Sequence, residues 1–424
     1  MSQIHIKNGR IIDPANQRDE VADIFIVDGK ILAIGEMPKN FSAEQTIDAN
    51  DQWVLPGLVD LCARLREPGQ EYKANILSET RAASCAGITT LCIPPDTDPV
   101  IDEPAVVDLI QNKAQHSQHS KVLTLGALTS QLKGEHLSEM AALKQAGCVG
   151  LSNARRNIEN PLVLRRAYEY AATHNITVFI EADIPQLSNN GCAHEGSIAT
   201  RLGLPSISYS AETAAIAMHL ELIAETNVRA HFCRLSTARS VEMLNHAKSR
   251  GLKISADVAA HQLHLTEMDI TSFNAQCHVL PPLRTQRDME ALRQGLSSGI
   301  ISAVCSDHQP HENDAKLAPF AATEAGISAL ETLLPLTLKL VENAQLDLNT
   351  AIASLTYEPA QILGIDAGTL SIGRNADICI VDPSQEWTHQ LDSIESRGKN
   401  TPFVGWNFIG KATCTIINGQ LQSL

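Results

Sequence analysis

An α/β fold is predicted, a (β/α)8 TIM-type barrel carrying a small β-sandwich domain built from both chain ends. Three observations lead there. Helix and strand patterns alternate through the middle of the chain, which implies a parallel sheet, and so many units favour a closed barrel over an open one. Both ends read as β structure, and 424 residues are enough for one such barrel with an accessory domain. The expected division is 1–55 plus 366–424 for the composite β domain and 56–365 for the barrel.

At the N-terminal end Ile4 and Ile6 alternate with polar neighbours, and Ile24 to Ile34 reads as a hairpin about Asp28-Gly29. The first clear helix–strand unit runs from Ser78 through Ala86-Gly87 into the strand Ile88–Ile93. A later helix has Asn160 as its cap and Pro161 at its first position, with Leu162, Leu164, Ala167, Tyr168 and Ala171 at helical spacing. Asn175 stops it before the strand Ile176–Ile180. The cycle recurs from Thr237 through Val241, Leu244 and Ala247 to Gly251, then the strand Leu252–Val258. Near the C-terminal end Ala376–Asp382 reads as a strand, followed by a hairpin, Thr413–Leu421, about Asn418-Gly419. In such a barrel chemistry sits where strands end at their C-terminal side, so the segments after each strand carry the functional question.

Composition narrows the class. With 44% hydrophobic and 19% charged residues the chain is ordinary for a soluble globular protein. A net charge of −15 argues against nucleic-acid and anionic-membrane partners, which both need a positive footprint. There is no apolar run of membrane-spanning length, and Met1-Ser2-Gln3-Ile4-His5 lacks the regions of a signal peptide, so a cytoplasmic location is expected. The ten cysteines are scattered with no Cys-x-x-Cys pair, and reduced core thiols are expected rather than disulfides or a thiolate metal site.

Three stretches carry a resemblance. Pro56-Gly57-Leu58-Val59-Asp60-Leu61 leads into Leu65-Arg66-Glu67-Pro68-Gly69-Gln70-Glu71. Pro281-Pro282-Leu283-Arg284 precedes Ser306-Asp307-His308-Gln309-Pro310-His311. Gly368 to Asp377 and Pro402-Phe403-Val404-Gly405 complete the set. Together they resemble the dihydroorotase branch of the amidohydrolase family across almost the whole chain. That resemblance implies a binuclear zinc site whose metals acidify a water, and reversible closure of carbamoyl-aspartate to the dihydroorotate ring.

Carried over position by position, the implied ligands mostly fail. The two histidines after the first strand match Cys62 and Arg64, the bridging Asp matches Asn153, and the two later histidines match Glu181 and Arg234. Only Asp307, the terminal ligand and base, is kept, so five of six positions differ. Arg66, implied to grip a substrate carboxylate, is present. Asp96 stands for a substrate-contacting Asn, where its charge should repel a dianion, and Leu280 replaces another Asn. Glu324-Ala325 takes the place of Pro-Phe in the loop after Asp307.

Cys62, Glu181 and Asp307 are legal ligand types, but Arg64 and Arg234 donate no lone pair and repel a divalent cation. Neither a metal nor any other cofactor is therefore expected, and Asp307 and Arg66 are read as vestigial. The two arginines are expected instead to pair with Glu181 and Asp307, planar forks meeting carboxylates. Cys62 is read as an idle thiol because no His is placed to act as its base. His261-Gln262-Leu263-His264 is read as a post-strand turn, His308 and His311 as packing and hydrogen-bonding residues, and Gln111–Ser120 as the polar end of a surface helix.

A dihydroorotase framework with lost zinc ligands resembles the non-catalytic partner subunit in some bacterial aspartate carbamoyltransferase assemblies. The resemblance implies a role in assembling that transferase in pyrimidine biosynthesis. The implied partner is its catalytic chain, in a heterododecamer of six plus six. Two other readings compete: an active dihydroorotase or related cyclic amidohydrolase with a remodelled, metal-poor site, and a free-standing protein that captures a carboxylate through an accessible Arg66.

Overall fold

A computed structural model of the chain describes residues 3–422. Eight parallel strands form the barrel: β1 Leu58–Asp60, β2 Ile88–Ile93, β3 Lys121–Ala127, β4 Gly150–Ser152, β5 Val178–Ile180, β6 Ala230–Phe232, β7 Ile254–Ala259 and β8 Ala303–Cys305. They pair in sequential order from β1 to β8. A parallel bridge from Ala63 to His308, and a bond from the Ser306 amide to Asp60 Oδ1 (2.9 Å), join the two ends. All six residues of β2 are buried, as expected of a strand covered on both faces.

Local chemistry sets the helices that cover the barrel. Asn75 and Ser78 cap the helix Ile76–Cys85 reciprocally. Asn160 Oδ1 accepts from the Leu162 amide at 3.0 Å to start Pro161–Thr173, whose buried face is Leu164, Ala167, Tyr168 and Ala171. Thr237 opens Ala238–Ser249 in the same way. The strands after these helices begin later than their apolar runs suggest, at Val178 rather than Ile176 and at Ile254 rather than Leu252. The cause is the same in both. The amides of Ile176 and Leu252 donate to Ala171 and Ala247, closing the preceding helix instead of joining the ladder.

The end domain is an eight-stranded sheet with strands from Gln3–Pro56 and Ile378–Gln422. It includes Gln45–Asp48, a strand whose polar sequence gave no signal. The sheet curls until its two hairpin turns, Asp28-Gly29 and Asn418-Gly419, touch, enclosing a second core of mainly isoleucines from both chain ends. Among the described residues no helix is long and apolar enough to cross a membrane.

A Cβ on Gly419 would lie 2.4 Å from Gly29 Cα, and φ there is +72°. Gly419→Ala is expected to cost about 2–4 kcal/mol through backbone clash plus left-handed strain. Gly35→Ala is the control, since φ is +93° but nothing lies within 4 Å, and it should cost only about 1 kcal/mol. Urea unfolding of both variants checks this; equal losses would mean the two turns do not pack together.

Candidate functional site: an ion-paired barrel mouth

Each residue of interest follows a strand end. Cys62 and Arg64 come after β1, Asp96 after β2, Asn153 after β4, Glu181 after β5, Arg234 after β6 and Asp307 after β8. Arg234 and Asp307 adopt left-handed backbone (φ +51° and +47°), a sharp exit from the strand of the kind found where side chains are held at a functional centre. Both side chains are buried, at 4% and 2% exposure.

The four charges singled out in the sequence meet. Arg234 Nη2 lies 2.6 Å from Glu181 Oε1 and its Nε 3.4 Å from Asp307 Oδ1. Arg64 Nη2 lies 3.7 Å from the same Glu181 oxygen and Nη1 3.5 Å from the same Asp307 oxygen. Each arginine thus bridges both carboxylates. Two further charges extend the lattice. Asp96 Oδ2 accepts from Arg64 Nε at 3.0 Å, and Arg155 Nε sits 3.3 Å from Glu181 Oε2. Three guanidiniums (Arg64, Arg155, Arg234) face three carboxylates (Asp96, Glu181, Asp307), so the charges of this set cancel.

Burial alone would raise the Glu181 carboxyl, but Arg234, Arg64 and Arg155 outweigh it and hold it down at about 2. For Arg64 and Arg234 burial opposes the charge, yet their carboxylate neighbours push both further up. Burial pushes the Cys62 thiol up, and among the described residues its side chain makes only weak hydrogen bonds, to Asp307 (3.7 Å) and Arg64 (3.9 Å). A protonated thiol without a base is not a nucleophile.

The donor set does not fit a binuclear zinc centre. Zinc needs lone pairs, and here the carboxylate oxygens face guanidinium groups that supply none. His231, Cys233 and Asp257 bring ligand atoms within 4.8 Å of one another deeper in the barrel. The His231 nitrogens are already engaged by Ser255 Oγ (2.8 Å) and Asp257 Oδ2 (2.9 Å). Asp257 Oδ1 accepts from the Arg234 amide at 2.6 Å. That triad orients the strand-end turn carrying Arg234.

Other expected site residues lie apart from the lattice. Asn153 accepts from Thr129 Oγ1 (2.7 Å) and donates to the Arg156 carbonyl (2.7 Å), so it ties loops together. Arg66 is half-buried and spends its fork on its own chain: Nε donates to the Pro310 carbonyl at 3.0 Å and Nη1 to Gln70 Oε1 at 3.3 Å. Burial, then Arg64, brings its guanidinium down to about 10. The cavity between Arg64, Arg66 and Asp96 is only 50 Å³, room for a water or two at ~30 Å³ each. Capture of a carboxylate through an open Arg66 is not supported by this geometry.

His308 and His311 act as hydrogen-bonding residues. His308 Nδ1 accepts from the Ala329 amide (3.0 Å), leaving Nε2–H for Glu79 Oε2 (2.8 Å). His311 Nε2 bonds the Ala325 carbonyl at 3.0 Å. His261–Leu263 is a buried post-strand turn, and Gln111–Ser117 ends a surface helix, Pro104–Ser117. All ten cysteines are unpaired. Asp96, expected only to repel a ligand, is instead a partner of Arg64. Arg155 was not expected in the lattice; its position next to the bridging-ligand segment was the available signal.

Arg234→Met should cost about 3–5 kcal/mol, because it leaves Glu181 and Asp307 short of buried countercharge. The pH dependence has a definite sign. A carboxyl depressed by folding stabilises above its ordinary value of 4.5, and that stability is lost as pH falls towards 2. Losing Arg234 moves the folded-state Glu181 value back up towards 4.5, so less of the variant's stability depends on pH: its deficit against the parent should be largest near neutral pH and should narrow as pH falls from 4.5 towards 2. A deficit of the same size at neutral and acid pH in unfolding titrations would contradict the lattice.

Comparison with known proteins follows the same lines. The amidohydrolase family matches residues 53–421. A dihydroorotase-like protein of Pseudomonas aeruginosa is 47% identical over 418 residues, covering 99% of each chain. A second, from Pseudomonas putida, is 46% identical over 99% of this chain and 98% of its own. A dihydroorotase of Syntrophotalea carbinolica is 41% identical over the same shares. Among solved structures, the L-hydantoinase (dihydropyrimidinase) of Arthrobacter aurescens superposes with a TM-score of 0.88 at 23% identity, covering 99% of this chain and 96% of its own. At that identity the likeness is one of fold.

Proposed function

Because this chain belongs to the amidohydrolase family, on its dihydroorotase-like branch, and fills the family's metal position with arginines, we propose that it is a catalytically inactive dihydroorotase-like subunit. Its role is to assemble the active aspartate carbamoyltransferase complex of pyrimidine biosynthesis. The observation that carries the inactive reading is the double bridge of Arg64 and Arg234 to Glu181 and Asp307. A hydrolytic metal site needs a cation that polarises substrate and acidifies water. Guanidinium groups saturated by buried carboxylates do neither, and they occupy the space. The retained Asp307, the family's base, is committed to both arginines.

The partner in this reading is the transferase catalytic chain of the same cell, in a complex of six plus six, acting in the cytoplasm. The family resemblance supports the partner, and the loss of ligands favours an assembly role over a catalytic one. The competing reading, a remodelled cyclic amidohydrolase, draws on the 240 Å³ cavity that remains beside the lattice.

Elemental analysis should find well below one zinc per chain, with no measurable dihydroorotate turnover; stoichiometric zinc would overturn the inactive reading. Combining Cys62→His, Arg64→His, Asn153→Asp, Glu181→His and Arg234→His tests whether the scaffold still accepts metal. The assembly role is tested by co-expression with the transferase chain and sizing of the product. A transferase that is active and fully assembled without this protein would refute it.

A further inference from the structure

Next to the ion lattice, on the far side of Glu181 and Arg234, lies a cavity of 240 Å³, about eight times the ~30 Å³ share of a water molecule. Two charged groups on its walls form no ion pair and keep hydrogen-bonding capacity to spare. The first is Arg284, which is 3% exposed. Its Nε donates to Ser236 Oγ (3.1 Å), and its Nη1 reaches His194 Nδ1 (3.0 Å) and the Ile207 carbonyl (3.1 Å). Among the described residues, nothing accepts from Nη2. The second is Asp183, half-buried, whose two oxygens receive only the Ser188 hydroxyl, at 2.8 and 2.9 Å.

The remaining charges of the lining are already spoken for. Glu181 is held by Arg64, Arg155 and Arg234. Glu212 accepts from the Ser236 and Thr237 amides (both 3.2 Å) and from nearby hydroxyls. Burial lowers the Arg284 guanidinium, and Glu212, Asp288 and then Asp183 act against that, yet Arg284 and Asp183 form no ion pair. A fixed cation and a fixed anion therefore face one cavity across a gap. Glu212 reaches Arg284 only through the shared Ser236 hydroxyl, which leaves Nη2 as the donor open towards the cavity. One part of the wall is apolar, formed by Ile207, Leu235, Leu280, Pro281 and Pro282, while Ser188 and Asn190 add polar groups elsewhere.

We propose that this cavity binds a small α-amino acid with an apolar side chain, its carboxylate on Arg284 and its ammonium on Asp183. A zwitterion is the ligand class that satisfies both groups without adding net charge. Two charge-assisted hydrogen bonds of about 2.8 Å would seat such a ligand between the two groups, which form no direct ion pair. The apolar wall takes the side chain, and Leu280 contributes to it with no polar group to satisfy. This site goes beyond the assembly reading and stands or falls separately from it.

The test is ligand-observed NMR and calorimetry on the full-length protein at neutral pH, with leucine, valine, N-acetyl-leucine and leucinamide as probes. Leucine or valine should bind saturably, and each blocked derivative should bind at least tenfold more weakly. Arg284→Gln should abolish binding. Because that side chain is buried and its removal threatens folding, Asp183→Asn is the second arm; it should weaken leucine at least tenfold while leaving N-acetyl-leucine unchanged. No binding of either free amino acid, or equal binding of the blocked forms, would overturn the proposal.

Discussion

The two-way bridge of Arg64 and Arg234 to Glu181 and Asp307 is the constraint on which the rest of the barrel mouth depends. Each buried ion carries a desolvation cost of several kcal/mol, and one opposite charge at 4 Å returns about 4 kcal/mol at an effective dielectric of 20. A single pair is therefore close to break-even. Sharing each carboxylate between two arginines raises the return per ion without doubling the burial, although repulsion between the two arginines and between the two carboxylates takes back part of the gain. The lattice persists as a set, and no member can leave without exposing the others to the full cost. Asp96 and Arg155 belong to that set because they bring the count to three of each sign.

The fold was largely legible from the sequence because its signals are local. Asn160-Pro161 caps a helix by its own hydrogen bond, and Asp28-Gly29 and Asn418-Gly419 turn by their own backbone preference. What the sequence hid was set by competition between elements. Ile176 and Leu252 look like strand residues, but their amides close helices first. The site divides in the same way. Arg64, Glu181, Arg234 and Asp307 could be paired in advance because charge type and strand-end position suffice. Asp96 looked repulsive because it was weighed against a ligand, not against Arg64. Arg284 stands out in the sequence only as the end of a family-like stretch and Asp183 does not stand out, since what matters is the cavity between them, which only the packed loops create.

Hydrogen bonds within the chain also hold the mouth in shape. Asp60, pushed up to about 7 by burial, takes the Ser306 amide across the seam where the barrel closes. Glu79 collects Ser396 Oγ (2.6 Å), the Arg397 amide (3.1 Å) and His308, so a segment from beyond the barrel is pinned beside the strand-end turn of Asp307. Despite burial, these donors keep the Glu79 carboxyl below its usual range, and the charge stays available to bind all three.

These bonds decide what an arginine-filled centre can still contribute. A metal centre in this family orders its own loops, because ligands on several strands converge on one ion. Here the convergence is retained with different chemistry: Arg64 from β1 and Arg234 from β6 reach Glu181 from β5 and Asp307 from β8. Four strand ends remain cross-linked by side chains that are always present. These cross-links need no bound ion. Arginine in place of histidine therefore keeps the strand ends tied together, which small apolar residues at the same positions would not do.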